Sequence, residues 1–432
     1  MTPFGNISSA LSKQVPSRIV RLLKRLGRIA GDFGCEAFAV GGCVRDLLIR
    51  SGTIDIDVTV EGDGHKVARA AAKLFGAEAL FHERFLTAVL TFPDGFILDV
   101  ATARREYYPE PASFPVVQPS SIEDDLIRRD FTINALAFRL NPSRFGDLMD
   151  VSSGLEDLKD GIIRVFHFRS MHDDPTRAFR AARFSGRYGF MIESKTRMLM
   201  RNIVKEGLIR LLSGERVLRE LRLILEEEMP ELSLQILQGY GILKVIHPEL
   251  RFRSHDGQDF QKLRKLLKSG SLAAEKEKIE AWGMGFVLLT RNLDSTSRRV
   301  LASRLSLPAL CSEWLEEGGT LFQKTIPAIE KSNLLIEIIE LLRAYRCLEP
   351  LIAGAAVGRG NAKKSLLMYL KRWRHIRPML NGNDLKKMGL RPGPVFQEIF
   401  KGIVKARLEG RVKTKKDERR HVIAMIDAGD IV

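Results

Sequence analysis

The spacing of apolar residues changes once along this chain of 432 residues. Up to about residue 160, short apolar runs alternate with turns, and strands are predicted over residues 37–40, 54–60, 88–92, 96–100 and 133–138. Between them, residues 18–31 and 65–75 have helical spacing. From about residue 173 the period is helical almost throughout, as in 175–188, 214–227, 230–239, 333–346 and 362–374. We therefore predict an α+β N-terminal part with a small mixed sheet, followed by an all-α remainder.

The length of the chain predicts several domains, because a single core rarely serves more than about 250 to 300 residues. The candidate domain boundaries lie near residues 158–172, 250–258 and 378–383. We predict a head over 1–160, a helical neck over 161–250, a helical body over 251–377 and a basic tail over 378–432.

The composition excludes several classes of protein. Apolar residues make up 45% and charged residues 28% of the chain, which is typical of a globular protein and not of a disordered one. Its four cysteines have neither CxxC pairing nor framework spacing, so a disulfide scaffold is excluded and a reducing compartment is favoured. No apolar run reaches the roughly 18 residues that a membrane helix needs, and the N-terminus lacks the apolar core of a signal peptide. We expect a cytoplasmic protein that does not contact membranes.

The net charge of +16 is unevenly distributed. Residues 1–160 carry 19 Lys and Arg against 22 Asp and Glu, whereas the remainder carries 50 against 31. An acidic first part before a strongly basic one indicates chemistry in the first and polyanion binding in the second. A basic surface that only improves solubility is the alternative.

Residues 41–57 contain the first candidate site. The strand at 37–40 leads into Gly41-Gly42, where the missing Cβ atoms let backbone N–H groups approach phosphate oxygens, and Arg45 could add charge there. Asp55 and Asp57 lie two residues apart on the next strand and so share a face, which suits Mg²⁺. Acidic residues on a solvated strand face are the alternative.

Asp99, in a later strand, is the third candidate carboxylate. If its strand neighbours that of Asp55 and Asp57, the three could hold two divalent ions. Such a pair of ions supports in-line attack of a hydroxyl on an α-phosphate.

Five segments in this order resemble the class II tRNA nucleotidyltransferase and bacterial poly(A) polymerase family. They are GGCVRD with DID, DVATAR, RRDFTINALAF, DVSSGLEDLKDGIIR and DDPTRAFRAARF, and they lie between residues 41 and 184. The resemblance implies that Asp55, Asp57 and Asp99 are the catalytic metal ligands for two Mg²⁺ ions. It also implies a triphosphate-binding turn at Gly41, Gly42 and Arg45.

The resemblance assigns further residues to nucleotide binding. Arg128, Arg129, Asp130 and Asn134 match the motif that holds the sugar and phosphates. Asp173, Asp174 and Arg177 match the nucleotide-reading motif, in which protein side chains replace a template base, and Asp173 stands where the family usually has Glu. Arg216 and Glu220 would brace that motif.

Arg177, Arg180, Arg183 and Arg187 share one face of the predicted helix. They could line a triphosphate or an RNA backbone, and a solvated face is the alternative. In the tail, the resemblance assigns RNA binding to Lys401, Lys405 and Arg407.

The resemblance predicts a template-independent enzyme that extends the 3′ end of tRNA with diphosphate release. The stretches at 102–131 and 217–250 are most similar to members that add only the terminal A from ATP. A full CCA-adding enzyme, which also uses CTP, is the close alternative. A poly(A) polymerase and a catalytically inactive RNA-binding protein remain further alternatives.

Overall fold

The computed structural model describes residues 5–50, 56–270, 279–332 and 334–428. The chain divides into two compact units, Met1–Pro248 and Glu249–Val432. The finer division into head, neck, body and tail stays a prediction. None of the described helices is long and apolar enough to cross a membrane.

A seven-stranded sheet forms the centre of the first 160 residues. The strands of this region are β1 Glu36–Val40, β2 Asp57–Glu61, β3 Glu78–His82, β4 Thr87–Thr91, β5 Ile97–Thr102, β6 Arg104–Tyr107, β7 Val116–Pro119, β8 Leu136–Arg139 and β9 Leu148–Asp150. The sheet has the order β3-β4-β5-β2-β1-β8-β9, while β6 and β7 form a separate hairpin. Strands β2 and β5 are parallel and the other neighbours are antiparallel, so the sheet is mixed as predicted.

The interior strand β1, which pairs with β2 and β8, carries apolar residues on both faces, and all four residues from Ala37 to Val40 are buried. The helix α2 Ser17–Asp32 covers one face with Leu22, Leu23 and Leu26, whose spacing is that of an amphipathic helix. This packing holds the end of β1, where the phosphate-binding turn is predicted, in a rigid position.

The helices of the first unit surround the sheet and then form a helical bundle. Besides α2 they are α1 Ser8–Gln14, α3 Gly42–Ile49, α4 Gly64–Phe75, α5 Ile122–Ile127, α6 Gly154–Asp160, α7 Ser170–Asp173, α8 Thr176–Tyr188, α9 Ser194–Lys205, α10 Gly214–Leu225, α11 Pro230–Gly239 and α12 Ile242–Ile246. Two short strands, β10 Ile162–Ile163 and β11 Met191–Ile192, pair in parallel. The predicted fold class is confirmed.

The strand predicted over 133–138 is wrong in its first half. Residues Thr132–Asn134 form a turn of 3₁₀ helix, and β8 begins only at Leu136. Ile133 is fully buried in this turn, and a buried isoleucine gives the same apolar signal in the sequence whether it lies in a turn or in a strand. The turn instead lets the Asn134 amide reach Asp130, a local hydrogen bond that periodicity does not report. The strand predicted over 54–60 begins at Asp57, and the part before Ile56 lies outside the described residues.

In the described residues of the second unit, all regular secondary structure is helical. Its helices are α13 Asp256–Lys268, α14 Ala281–Thr290, α15 Ser295–Leu305, α16 Ala309–Thr320, α17 Ile326–Lys331, α18 Leu335–Arg343, α19 Leu348–Val357, α20 Gly360–Lys371, α21 Gly382–Lys387, α22 Pro394–Leu408 and α23 Lys415–Asp427. One turn of π-helix, Leu321–Thr325, joins α16 to α17. Trp314 is fully buried and meets Trp282 edge-on, with ring centroids 5.0 Å apart.

Candidate active site

The turn after β1 requires glycine. Gly41 has φ +76°, and a Cβ atom there would lie 2.5 Å from the guanidinium of Arg129. Helix α3 begins directly afterwards at Gly42, which lines a cleft. The chain therefore has a tight strand-to-helix turn with an arginine packed against it, as a phosphate-binding turn needs.

Arg45 is almost completely buried and lies against two neighbouring aromatic rings of α8. Its guanidinium carbon lies 5.1 Å from the ring centre of Phe184 and 4.9 Å from that of Tyr188. Its Nε donates to Asp46 Oδ1 at 2.8 Å, and the Tyr188 hydroxyl donates to the same oxygen at 3.0 Å. Another guanidinium nitrogen donates to Asn134 Oδ1. The arginine of the turn is thus fixed by its neighbour Asp46 and by residues more than 80 positions away.

The carboxylates of Asp57 and Asp99 come from adjacent parallel strands. The two residues are register partners in the pairing of β2 with β5. Asp57 is half-buried and Asp99 is exposed. The condition set for a shared carboxylate cluster, that these two strands are neighbours, is therefore met. Asp55, the third predicted carboxylate, lies outside the described residues.

Paired carboxylate oxygens fit a divalent ion such as Mg²⁺. Within the described ranges, which leave out Asp55, no group of three His, Cys, Asp or Glu side chains could hold a metal ion. The neighbouring thiol is a poor ligand, because burial and the charge of Asp57 raise the pKa of Cys43 to about 12 and keep it protonated. The donor set is therefore one of oxygen atoms.

Two consecutive arginines on the wall of the cleft are held by a buried carboxylate. Asp125, which is fully buried, accepts from Arg128 Nη2 at 2.7 Å and from Arg129 Nη2 at 3.0 Å. Burial would raise the pKa of Asp125, but the charges of Arg129 and Arg128 outweigh it and lower the pKa below its usual value. Glu106 accepts from Arg128 Nη1 at 2.7 Å. Both guanidinium groups are thereby pre-oriented.

Asp130 joins the RRD segment to α8. Its Oδ1 accepts from Asn134 Nδ2 at 2.9 Å, and its Oδ2 accepts from Arg180 Nε at 2.7 Å and Nη2 at 2.6 Å. Although burial opposes ionisation, Arg180 and Asn134 lower the pKa of Asp130 to about 2. The carboxylate is therefore charged at neutral pH and oriented on both sides.

The predicted nucleotide-reading residues lie at the start of α8. Asp174 Oδ1 accepts from Thr176 N at 3.0 Å and from Arg216 Nη2 at 2.8 Å, so Arg216 braces it as predicted. Arg177 Nη2 donates to the backbone carbonyl of Arg128 at 2.8 Å. The motif is thus tied to α10 and to the RRD segment together.

One cleft of about 380 Å³ collects most of the predicted residues. Its lining consists of Gly42, Arg45, Asp57, Glu106, Tyr108, Arg128, Arg129, Asp130, Asn134, Asp174, Arg177, Arg180 and Phe184. Five guanidinium groups therefore converge on one carboxylate-lined cavity, which suits a polyphosphate.

Some predicted residues lie outside this lining. Asp173, whose Oδ1 lies 3.4 Å from Arg169 Nε, is not among the described lining residues. Arg183 is buried with its guanidinium 5.1 Å from the Phe184 ring centre. Arg187 pairs with Glu227 at 2.5 Å, so the arginine face of α8 does not form one continuous stripe along the cleft.

Two models of known families match the first unit. The poly(A) polymerase head domain matches residues 37–164, and the model described as the probable RNA and SrmB-binding site of polymerase A matches residues 189–253. A solved CCA-adding enzyme has a TM-score of 0.83 and 30% identity, covering 98% of this chain and 100% of its own. The chain belongs to the class II tRNA nucleotidyltransferase and bacterial poly(A) polymerase family.

Two relatives within this family are A-adding tRNA nucleotidyltransferases. That of Geobacter sulfurreducens is 36% identical over 97% of this chain, and that of Halalkalibacterium halodurans is 28% identical over 95%. The chain spans 48% of the length of the first, about half, and 94% of the second.

Sequence reasoning missed three side chains of the cleft. Glu106 orients Arg128, Tyr108 donates to Glu106 Oε2 at 3.0 Å, and Phe184 stacks on Arg45. Glu106 and Tyr108 lie within the family-like stretch 102–131, but no spacing rule distinguishes them. Phe184 closes the segment DDPTRAFRAARF, where its helical position indicated only a core residue.

The predicted RNA-binding residues Lys401, Lys405 and Arg407 lie on α22 of the second unit. Arg407 pairs with Glu418, which is completely buried and also accepts from the backbone N–H of Met379 and Leu380. This arginine therefore stabilises the contact of α22 with α23. Lys401 lies 3.5 Å from Glu340 through its Nζ and is largely exposed.

Proposed function

We propose that this protein extends the 3′ end of tRNA without a template, adding the terminal A from ATP. The convergence of Asp57 and five arginines in one cleft, with Asp174 braced at its wall, is the observation that carries this proposal. The similarity to A-adding enzymes supports the choice of nucleotide. A cytoplasmic location belongs to the same proposal.

Each part of the cleft has a task in this reaction. The turn at Gly41-Gly42 and the guanidinium of Arg45 bind the triphosphate, while Arg128, Arg129, Asp130 and Asn134 hold its phosphates and the ribose. The RNA 3′-oxygen bonds to the α-phosphorus, and the bond from that phosphorus to the diphosphate breaks. The leaving group is the diphosphate made of the β- and γ-phosphates, whose negative charge the arginines neutralise.

Asp55, Asp57 and Asp99 would hold two Mg²⁺ ions. When bound, these ions would supply activation of the hydroxyl and neutralisation of the developing charge. Asp174 and Arg177 read the base by hydrogen bonds to its Watson–Crick edge, so that protein side chains act as the template.

A full CCA-adding activity is the second candidate, favoured by the similarity over almost the whole chain to a solved CCA-adding enzyme. Three radiolabelled tRNAs, ending before CCA, after C and after CC, distinguish the two when each is given CTP, ATP or both. One A added only to the CC-ended tRNA supports the proposal. Completion of all three indicates a CCA-adding enzyme, and a long A ladder indicates a poly(A) polymerase. No incorporation into any of them would leave an RNA-binding protein.

Replacing Asp174 by alanine is expected to lower the preference for ATP over CTP by roughly 10- to 100-fold, since base-edge hydrogen bonds give about 1–3 kcal/mol of discrimination. The ratio of kcat/KM for the two nucleotides on CC-ended tRNA measures this. Asp160→Ala, which removes an exposed carboxylate at the end of α6, is the control. An unchanged ratio would contradict the role of Asp174 in reading.

Replacing Tyr188 by phenylalanine is expected to raise KM for ATP roughly fivefold to tenfold with little change in kcat. The ring that covers Arg45 remains, but the hydrogen bond to Asp46 is lost. A bond to a charged group contributes about 1.5–3 kcal/mol, and only the part that orients Arg45 is expected to affect KM. Tyr107→Phe, at an exposed tyrosine of β6, is the control. Equal KM values for both variants would show that Asp46 orients Arg45 without help.

A further inference from the structure

A second groove lies between α7 and α9 and shares no described lining residue with the catalytic cleft. Its volume is about 390 Å³, within the usual range of roughly 300–1,000 Å³ for small-ligand sites. It is lined by Phe168, Arg169, Met171, His172, Leu199, Asn202, Ile203 and Glu206. The groove therefore belongs to the segment that carries the reading motif, but on a separate surface.

Phe168 gives this groove an exposed aromatic ring. Its side chain is 77% exposed, the largest value among the exposed large apolar side chains of the described residues. Single exposed apolar side chains are common, but Phe168 also lines a cavity together with Leu199 and Ile203, and this combination indicates a binding surface. A flat ring in this position can stack on another flat ring.

The rest of the groove combines apolar side chains with polar side chains that can form hydrogen bonds. Leu199 and Ile203 lie on one face of α9, with Asn202 beside them. The Asn202 amide and the His172 imidazole each offer a hydrogen-bond donor and an acceptor. This combination suits the face and the edge of a nucleobase.

One wall of the groove belongs to a basic helix. Helix α9 has four exposed cations and no acidic residue, and these cations are Lys195, Arg197, Arg201 and Lys205. Lys195 stands four residues before Leu199 and so shares the face of α9 that lines the groove, whereas Arg197 and Arg201 lie on the opposite face. In the groove itself, Arg169 is accompanied by Glu206. An occupant with a negatively charged backbone fits Lys195 and Arg169, and its bases can stack on Phe168.

We propose that this groove binds one unpaired nucleobase of the RNA substrate, stacked on Phe168, with the adjoining phosphates near α9. This inference rests on the proposed function, since it takes the RNA 3′ region as the ligand. The base at this site is distinct from the incoming nucleotide, whose cleft has different walls. The groove thereby fixes the position of the primer strand beside the reading motif.

The test is equilibrium binding of the full chain to CC-ended tRNA without any nucleoside triphosphate. Phe168→Ala is expected to weaken binding by roughly 5- to 150-fold, the range for loss of one base–aromatic stack. Phe168→Tyr keeps the ring and should bind within about twofold of the wild type, because stacking needs only the aromatic face. Met191→Ala, at an apolar side chain 70% exposed outside the groove, is the matched control and should bind like the wild type.

Abasic tRNAs identify the stacked base. The base is removed at each unpaired 3′ position in turn. At one of these positions, its removal should weaken binding by the wild type to the level of Phe168→Ala. Binding by Phe168→Ala itself should not change at that position. Equal binding of wild type and Phe168→Ala to CC-ended tRNA would overturn the proposal, as would full rescue by Phe168→Leu. An equal loss on blunt duplex RNA would also overturn it. Because no triphosphate is present, these results stand apart from any failure of incorporation, which would refute only the proposed enzyme activity.

Discussion

Replacing Asp57 by alanine is expected to lower nucleotide incorporation by at least about a thousandfold while RNA binding survives. Among the predicted metal ligands, Asp57 is the described residue that lines the cleft. Its register partner Asp99 lies on the adjacent strand. Loss of a metal ligand removes charge stabilisation of several kcal/mol from the reaction. Single-turnover incorporation of ATP into CC-ended tRNA measures the effect.

Asp32→Ala is the matched control for this experiment, since it removes an exposed carboxylate from the last residue of α2 in the same unit. It should retain wild-type incorporation. If Asp57→Ala kept more than a tenth of the activity with RNA binding unchanged, the assignment of the metal-binding strand pair would be wrong. Loss of RNA binding together with activity would indicate instead that β2 supports the fold of the unit.

Replacing Asp130 by alanine is expected to destabilise the first unit by about 3–5 kcal/mol. Its carboxylate is buried, and without it the guanidinium of Arg180 would lose its ionic partner inside the protein. Denaturant unfolding of the full chain at neutral pH gives the free energy of unfolding. Asp147→Ala, which removes an ion pair with Arg144 near the surface, should cost about 1 kcal/mol or less.

The same residue gives a pH dependence with a defined sign. The pKa of Asp130 is about 2 in the folded protein and near 3.8 ordinarily, so the unfolded chain binds the proton more tightly. Its contribution of about 2 kcal/mol is therefore complete above pH 4 and is lost as the pH falls towards 2. The stability difference between the wild type and Asp130→Asn should shrink over that window. A constant difference down to pH 2 would show that Arg180 does not hold the carboxylate ionised.

The helices were predictable because their cause is local. The segments 18–31, 65–75, 175–188 and 230–239 each carry one apolar face at helical spacing, and the observed helices begin and end within one residue of them. The strands β1 and β4 were predictable for the same reason. Residues Thr132–Asn134 were not, because a buried isoleucine in a turn and one in a strand have the same hydrophobicity.

The motifs of the candidate site were predictable from the sequence, but the contacts between side chains of different motifs were not. Order and spacing identified Gly41, Arg45, Asp57 and Asp130. The buried partner Asp125 stands three and four residues before Arg128 and Arg129, a spacing that could have been recognised as a helix-terminal ion pair. Tyr188 stands 142 residues from Asp46, and no local pattern connects them.

By itself, the sequence determined the fold class, the family and the residue types of the site, since these follow from local periodicity and from motifs that survive in linear order. The tertiary structure alone decided which charges meet. It paired Arg180 with Asp130, packed Arg45 against two rings of α8 and placed Asp57 beside Asp99. It also turned part of the predicted arginine face into internal ion pairs and left Phe168 exposed over a groove. The physical reason is that charge pairing and stacking depend on distances of a few ångströms between segments that are remote along the chain.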